Sequence, residues 1–426
     1  MNRRILCNYL LFAGLAILFT SLFLPGMMSS DSERIYKEVL NHSYSDHHPP
    51  MMAYLWHYLN QIYQGPLLMY LFNMLLLWGS IYILVFKIFK NSLYLKYYCM
   101  LIPFIPHVMV SAGWLWKDII FAFGYGLLSM YLADKMLANQ KLKWPALLIF
   151  IAALIYFTSV KYQAQFICPI IICWLFYVQN LSKIKANIFW GTILGSLAII
   201  MSVDHINHYL VTERGTGSSH SWQYVKIFDL AGMSVNSDTV FIPRPLLTRA
   251  NVTAADIKRT FTLAWETLIY SPNSVIRIPH NDQERHLLLL TWQNAVLHHP
   301  LTYLRHRYSI WEEGLLLSSP GKMYVQEKLL NYPTLAKYLV PLATLSAFVF
   351  LIPFMLATIV IGLRSLRYNF VRKHAIILLF LMGMSLELVA ILFFKSLASV
   401  PRYVYFSVYL FMLSTPFTVY CIKHRP

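Results

Sequence analysis

Asp31 opens the run Asp31-Ser32-Glu33-Arg34, just after an apolar stretch that ends near Leu24. A carboxylate at that place could serve as a general base at a membrane surface. It could equally, with Ser30, cap a short interfacial helix whose apolar side carries Ile35, Val39 and Leu40. A second run, Tyr44-Ser45-Asp46-His47-His48-Pro49-Pro50, joins a carboxylate to two histidines and a double proline. Asp-His-His could bind a divalent ion, or the run could be a polar loop entering a helix at Pro50. A third, Trp114-Leu115-Trp116-Lys117-Asp118, sets a lysine beside an aspartate between two apolar stretches. Charges at a membrane boundary are costly unless paired or solvated, whereas the tryptophans suit an interfacial belt.

Single cations form a further group. Lys161 and Arg402 each stand at the edge of an apolar stretch, and Arg305 and Arg307 lie in a Tyr-rich amphipathic run. Each could snorkel or form a solvated face. Each could also hold a phosphate, arginine through a bidentate contact and lysine as a point charge. Glu387 lies inside an apolar stretch, where a carboxylate marks an ion or proton path or a structural pair.

The elements that position these residues follow from composition. The chain has 426 residues, 58% hydrophobic and 12% charged, against about 25% charged in a soluble protein. Apolar runs long enough to cross a hydrocarbon core recur throughout, and the reading is an all-α membrane protein of about ten spans. These fall near 5–24, 66–86, 97–113, 119–133, 145–160, 164–180, 187–203, 338–363, 375–394 and 403–421. The run 5–24 is longer than a signal-peptide core and lacks a cleavage site, so it reads as the first span. The domains follow as 1–203, an N-terminal bundle whose first outer loop is 25–65; 204–337, a mostly helical outer segment between spans 7 and 8; and 338–426, the last spans. Helix-like stretches lie at 254–270 and 282–298 within the outer segment.

The net charge of +17 has a topological origin rather than a nucleic-acid partner. With both termini cytoplasmic, sixteen lysines and arginines fall on the cytoplasmic side and only Lys117, Lys161, Lys395 and Arg402 in the short outer loops, the asymmetry of the positive-inside rule. Apart from Asp134 and Glu387, every acidic residue then falls on the outer side. Carboxylate chemistry would therefore belong to the outer face. The five cysteines lie in or beside apolar runs and give neither a disulfide framework nor metal-ligand spacing. Phosphate-binding glycine loops, a G-x-S-x-G elbow and H-E-x-x-H are all absent from the sequence.

An acidic residue in the first outer loop (Asp31), a His48-Pro49-Pro50 element before the second span and a further acidic residue in the next outer loop (Asp118) resemble the GT-C superfamily of membrane glycosyltransferases. That superfamily includes protein O-mannosyltransferases and the aminoarabinose transferase of lipid A. Trp116-Lys117-Asp118 and Arg402-Tyr403 extend the likeness to a bacterial multi-pass group. Ser32 departs from the acidic pair of the O-mannosyltransferases, and His48 stands where the aminoarabinose transferases have lysine.

The resemblance implies inverting transfer of a sugar from a polyprenyl-phosphate donor to an envelope glycan, lipid or protein at the periplasmic face of a bacterial inner membrane. Asp31 would be the base, with Asp118 and Asp46 the other catalytic carboxylates. Lys117, Lys161 and Arg402 would offset the charge on the departing phosphate; from the residues alone, His47, His48, Arg305 and Arg307 are added as substrate- or phosphate-binding candidates. A divalent cation such as Mg or Mn, if used, would sit on Asp31, Asp118 and His48. The alternative is a transporter or flippase for a lipid-linked or anionic solute, built around Glu387.

Overall fold

A computed structural model describes residues 3–45, 47–179, 185–212, 222–262, 265–315, 337, 351–396 and 401–424. Among them regular structure is entirely helical, with two isolated β-bridges. In chain order the helices are α1 (Arg3–Leu22), α2 (Ser30–Asn41), α3 (Met51–Ile62), α4 (Leu67–Ile83), α5 (Leu93–Leu101), α6 (Pro106–Ala112), α7 (Lys117–Leu137), α8 (Trp144–Ser159), α9 (Ala164–Gln179) and α10 (Lys185–Leu210). There follow α11 (Trp222–Ser237), α12 (Ala254–Thr260), α13 (Trp265–Tyr270), α14 (Asp282–His298), α15 (Pro300–Gly314), α16 (Leu351–Ser365), α17 (Arg372–Lys395) and α18 (Tyr405–Lys423).

Among the described residues six helices are long and apolar enough to cross a bilayer: Ile5–Leu22, Leu67–Ile88, Lys117–Leu137, Ala186–Leu210, Arg372–Lys395 and Arg402–Lys423. The chain is a multi-pass membrane protein. Three of the other expected spans correspond to shorter apolar helices, α8, α9 and α16. The stretch 97–113 is not one rod. Pro103 and Pro106 divide it into α5, a 3-10 turn at Ile102–Phe104 and α6, because proline lacks the amide that would continue the ladder. The expected span 338–363 is described only from Leu351 onward.

The chain divides into two units. One comprises Met1–Thr212, Lys322–Leu388 and Val404–Pro426; the other comprises Glu213–Gly321 and Val389–Tyr403. The second unit therefore adds the end of α17 and the segment bearing Arg402 to the outer segment expected from sequence.

In the first unit α7 is buried on nearly all sides and packs on α4, α8 and α18. Gly124 and Gly126 leave room for Phe157 of α8 and Tyr409 of α18, where any Cβ would collide. Polar pairs tie these helices together: Ser80 Oγ lies 2.5 Å from the Tyr409 hydroxyl, and Ser385 and Ser407 each donate to the other's carbonyl. In lipid such bonds matter because apolar packing alone gains little over contact with acyl chains.

The second unit has a core that includes Ile227, Phe228, Leu230, Leu246, Ile257, Leu268, Ile276 and Leu288. Inside it Asp229 is fully buried and ion-paired with Arg307 at 2.6 Å. Asp229 also accepts from the Trp292 indole at 2.7 Å, and the His306 ring approaches it at 3.5 Å. Arg307 donates onward to the Ser396 carbonyl at 2.8 Å. The expected helix at 254–270 is two helices, α12 and α13, whereas 282–298 forms α14 as expected.

Candidate functional site

Short-range chemistry brings two outer loops together. Gly26 adopts φ +100°, and its Cα approaches Tyr70 so closely that a Cβ would meet the Tyr70 Cβ at 2.8 Å. That turn lets Met27 donate to Gly113 O and accept from Leu115 N, each at 2.9 Å, in a short parallel bridge. The bridge sets the start of α2 against the start of α7.

Two further bonds fix the register. Ser32, fully buried, donates to the Leu115 carbonyl at 2.8 Å, and the Trp116 indole donates to Ser29 Oγ at 2.9 Å. A carboxylate at position 32 would face a carbonyl oxygen, so the joint has no place for one. Trp114 and Trp116 are buried and stacked at 4.7 Å. They belong to the joint between the loops, not to an exposed interfacial belt.

The chemistry-bearing side chains gather at this joint. Asp31 and Asp118 line one narrow crevice with Ser32, Leu115, Trp116 and Lys117. Asp31, on the first turn of α2, keeps about a third of its side chain exposed, 32%. Lys117 Nζ lies 2.6 Å from His48 Nδ1, and His48 Nε2 lies 4.0 Å from Asp31 Oδ1. An ammonium only donates, so Nδ1 accepts, and Nε2 lies on the Asp31 side of the ring, beyond direct hydrogen-bond distance. Lys117, His48 and Asp31 thus form a polar file. His47 packs edge-on against His48 at 4.7 Å. Burial, and then Arg34 and Lys117, push its pKa down to about 4.

Asp118 lies in the first turn of α7, where the helix dipole favours a carboxylate. It is 2% exposed and ion-paired with Lys161, also 2% exposed, whose ammonium lies over the Phe121 ring at 5.7 Å. Lys161 therefore does not snorkel: it neutralises Asp118. This placement bears on metal binding. Two ammonium groups already contact Asp118 and His48, so the trio Asp31, Asp118 and His48 does not fit a divalent ion. No group of three or more His, Cys, Asp or Glu side chains suited to a metal occurs among the described residues.

The remaining expected residues lie elsewhere. Arg307 is fully buried on Asp229, a core partner and not an exposed phosphate ligand. Its neighbour Arg305 is exposed, and Arg402 stacks over Tyr403 at 5.5 Å, both in the second unit. Asp46 lies outside the described residues. Glu387 is partly buried within α17. Leu40, expected on the apolar side of α2, is 53% exposed, while Ile35 and Val39 are buried as expected.

Sequence reasoning missed Ser29 and Ser32 as joint residues, the Asp118–Lys161 pairing, and the Asp229–Arg307–Trp292 cluster. Only the Asp118–Lys161 pairing left a trace in the sequence: both charges fall at what the span pattern makes the same boundary. No family model matches the chain, and no curated protein or solved structure matches it significantly.

Proposed function

We propose that the chain is a membrane glycosyltransferase of GT-C type that moves a sugar from a polyprenyl-phosphate donor to an envelope acceptor at the periplasmic face of a bacterial inner membrane. The observation that carries this reading is the convergence of Asp31 and Asp118, eighty-seven positions apart by their numbers, on one crevice. Asp31 is the accessible carboxylate and acts as the base. It takes the proton of the acceptor hydroxyl as that oxygen bonds to the sugar's anomeric carbon. The bond from that carbon to the phosphate oxygen breaks with inversion, and the lipid phosphate leaves with the electron pair. Lys117, half-buried at the mouth of α7, offsets the charge that develops on the phosphate. His48 holds Asp31 and Lys117 in register. Asp118, neutralised by Lys161, anchors the start of α7 and is a positioning residue.

Glu387 favours a second reading, because its Oε2 is buried without a hydrogen-bond partner among the described residues. A transporter for a lipid-linked or anionic solute would use such a carboxylate inside a span. Purified protein in liposomes, supplied with labelled polyprenyl-phosphate sugars and an envelope acceptor fraction, separates the two. Release of free polyprenyl phosphate in step with acceptor labelling supports transfer. Movement of intact donor between leaflets without acceptor labelling, abolished by Glu387→Gln, rejects transfer in favour of transport.

A further inference from the structure

We propose that the second unit carries a separate binding site for a polar, hydroxylated ligand that bears a carboxylate or phosphate group. The site uses none of the residues of the transfer reading and stands or falls apart from it. An open cavity of about 520 Å³ lies within this unit, with Thr248, Arg249, Asp256, Arg259, Ser271 and Asn273 on its walls. Its size falls in the range of roughly 300–1,000 Å³ usual for small-molecule sites.

The frame is rigid. Thr248 donates its amide to Val275 O at 3.0 Å, and Arg277 donates to Leu246 O at 2.9 Å, so two extended segments form one wall. On α12, Thr253 donates its amide and hydroxyl to Asp256 Oδ2 at 2.9 and 2.8 Å. Those bonds, with Arg249 and Arg259 nearby, hold the Asp256 carboxyl below its usual range and keep it ionised.

Asp256 Oδ1 then serves both arginines, Arg249 at 2.8 Å and Arg259 at 3.5 Å. One carboxylate cannot neutralise two guanidiniums, so the cavity keeps a net positive charge. Arg249 and Arg259 are 58% and 78% exposed, and exposed pairs of this kind are weak and exchangeable. Each guanidinium has five donors, of which Asp256 takes few. A ligand oxyanion can take the rest in the bidentate geometry that guanidinium prefers for carboxylate and phosphate. The Thr248 hydroxyl and the Asn273 carboxamide make no other hydrogen bond among the described residues, and so remain available to ligand hydroxyls. No aromatic ring lines the cavity among the described residues, and its positive charge is the feature that carries recognition.

The test uses full-length protein in a non-ionic detergent, titrated by equilibrium dialysis with glucuronate, inorganic phosphate and glucose. Saturable binding of glucuronate or phosphate is expected, weakened at least about tenfold by Arg249→Gln or by Arg259→Gln, as loss of a charged hydrogen bond implies. Both substitutions are at exposed side chains, and an unchanged circular dichroism spectrum confirms the fold. Preference for glucuronate assigns an acidic sugar, and preference for phosphate assigns a phosphorylated ligand. Equal binding of glucose, absence of saturation by either anion, or wild-type binding in both arginine variants overturns the site.

Discussion

At the residue scale the site is an exercise in pairing charges at a boundary where an unpaired charge is expensive. Asp118 and Lys161 are each 2% exposed, so removing one leaves the other buried alone. Lys161→Met is expected to cost about 3–5 kcal/mol of stability. The double variant Asp118→Leu, Lys161→Met should recover most of that loss on thermal unfolding in detergent. A double variant no more stable than the single would show that the pair is not what Lys161 serves. His47 gives a second prediction. Its folded pKa of about 4 lies below its unfolded value of about 6.5, so the unfolded chain binds the extra proton first. Stability is then full above about pH 6.5 and falls as pH drops from there toward 4. His47→Gln should flatten that fall, and an unchanged slope would contradict the burial argument. His306, lowered by its own burial in the second unit, leaves part of the slope in place.

At the element scale the decisive feature is the joint between the start of α2 and the start of α7. Ser32→Ala removes one buried hydrogen bond, an expected stability loss of about 1 kcal/mol. Its effect on transfer should be larger, up to about a hundredfold, because misplacing a reacting group by about 1 Å has that consequence. Activity and stability falling together, each by a modest factor, would remove the joint's positioning role.

The elements themselves were unevenly legible. Long apolar helices such as 187–203 and 375–394 could be read from hydropathy, and the helix-like stretch 282–298 forms α14. The break at Pro103 and Pro106 was visible as residues but lost inside a uniformly apolar stretch. Asp31, Lys117 and Asp118 stood out because their charge is costly beside a membrane. Ser29 and Ser32 did not, since serine in a loop gives no signal until its partner, Trp116 or the Leu115 carbonyl, is known. Lys161 reads as a lone cation in the sequence, because a pair forty-three positions apart shows only when the turn between α8 and α9 meets the start of α7. Arg307 was misjudged for a related reason: its amphipathic surroundings resembled a solvated face, whereas Asp229 draws it into the core.

At the scale of the whole molecule the chain divides into two units, one with most of the membrane helices and the Asp31 crevice, the other with its own apolar core. The proposed topology puts α2 outside and the segment between α7 and α8 inside. In intact cells a membrane-impermeant thiol reagent should therefore modify Glu33→Cys and spare Lys141→Cys; both positions are exposed. The opposite pattern would invert the topology and move the crevice to the cytoplasm, where a periplasmic lipid-linked donor could not reach it.

The most direct measurement is transfer of labelled sugar from polyprenyl-phosphate donors to an envelope acceptor by the wild-type protein and by Asp31→Asn, matched for expression and thermal stability. Asparagine keeps the shape of the side chain but cannot accept the acceptor's proton, so transfer by the wild type should fall by about 10²–10⁴-fold in the variant. Undiminished transfer by a folded Asp31→Asn protein would contradict the assignment of Asp31 as the base and, with it, the account of the crevice.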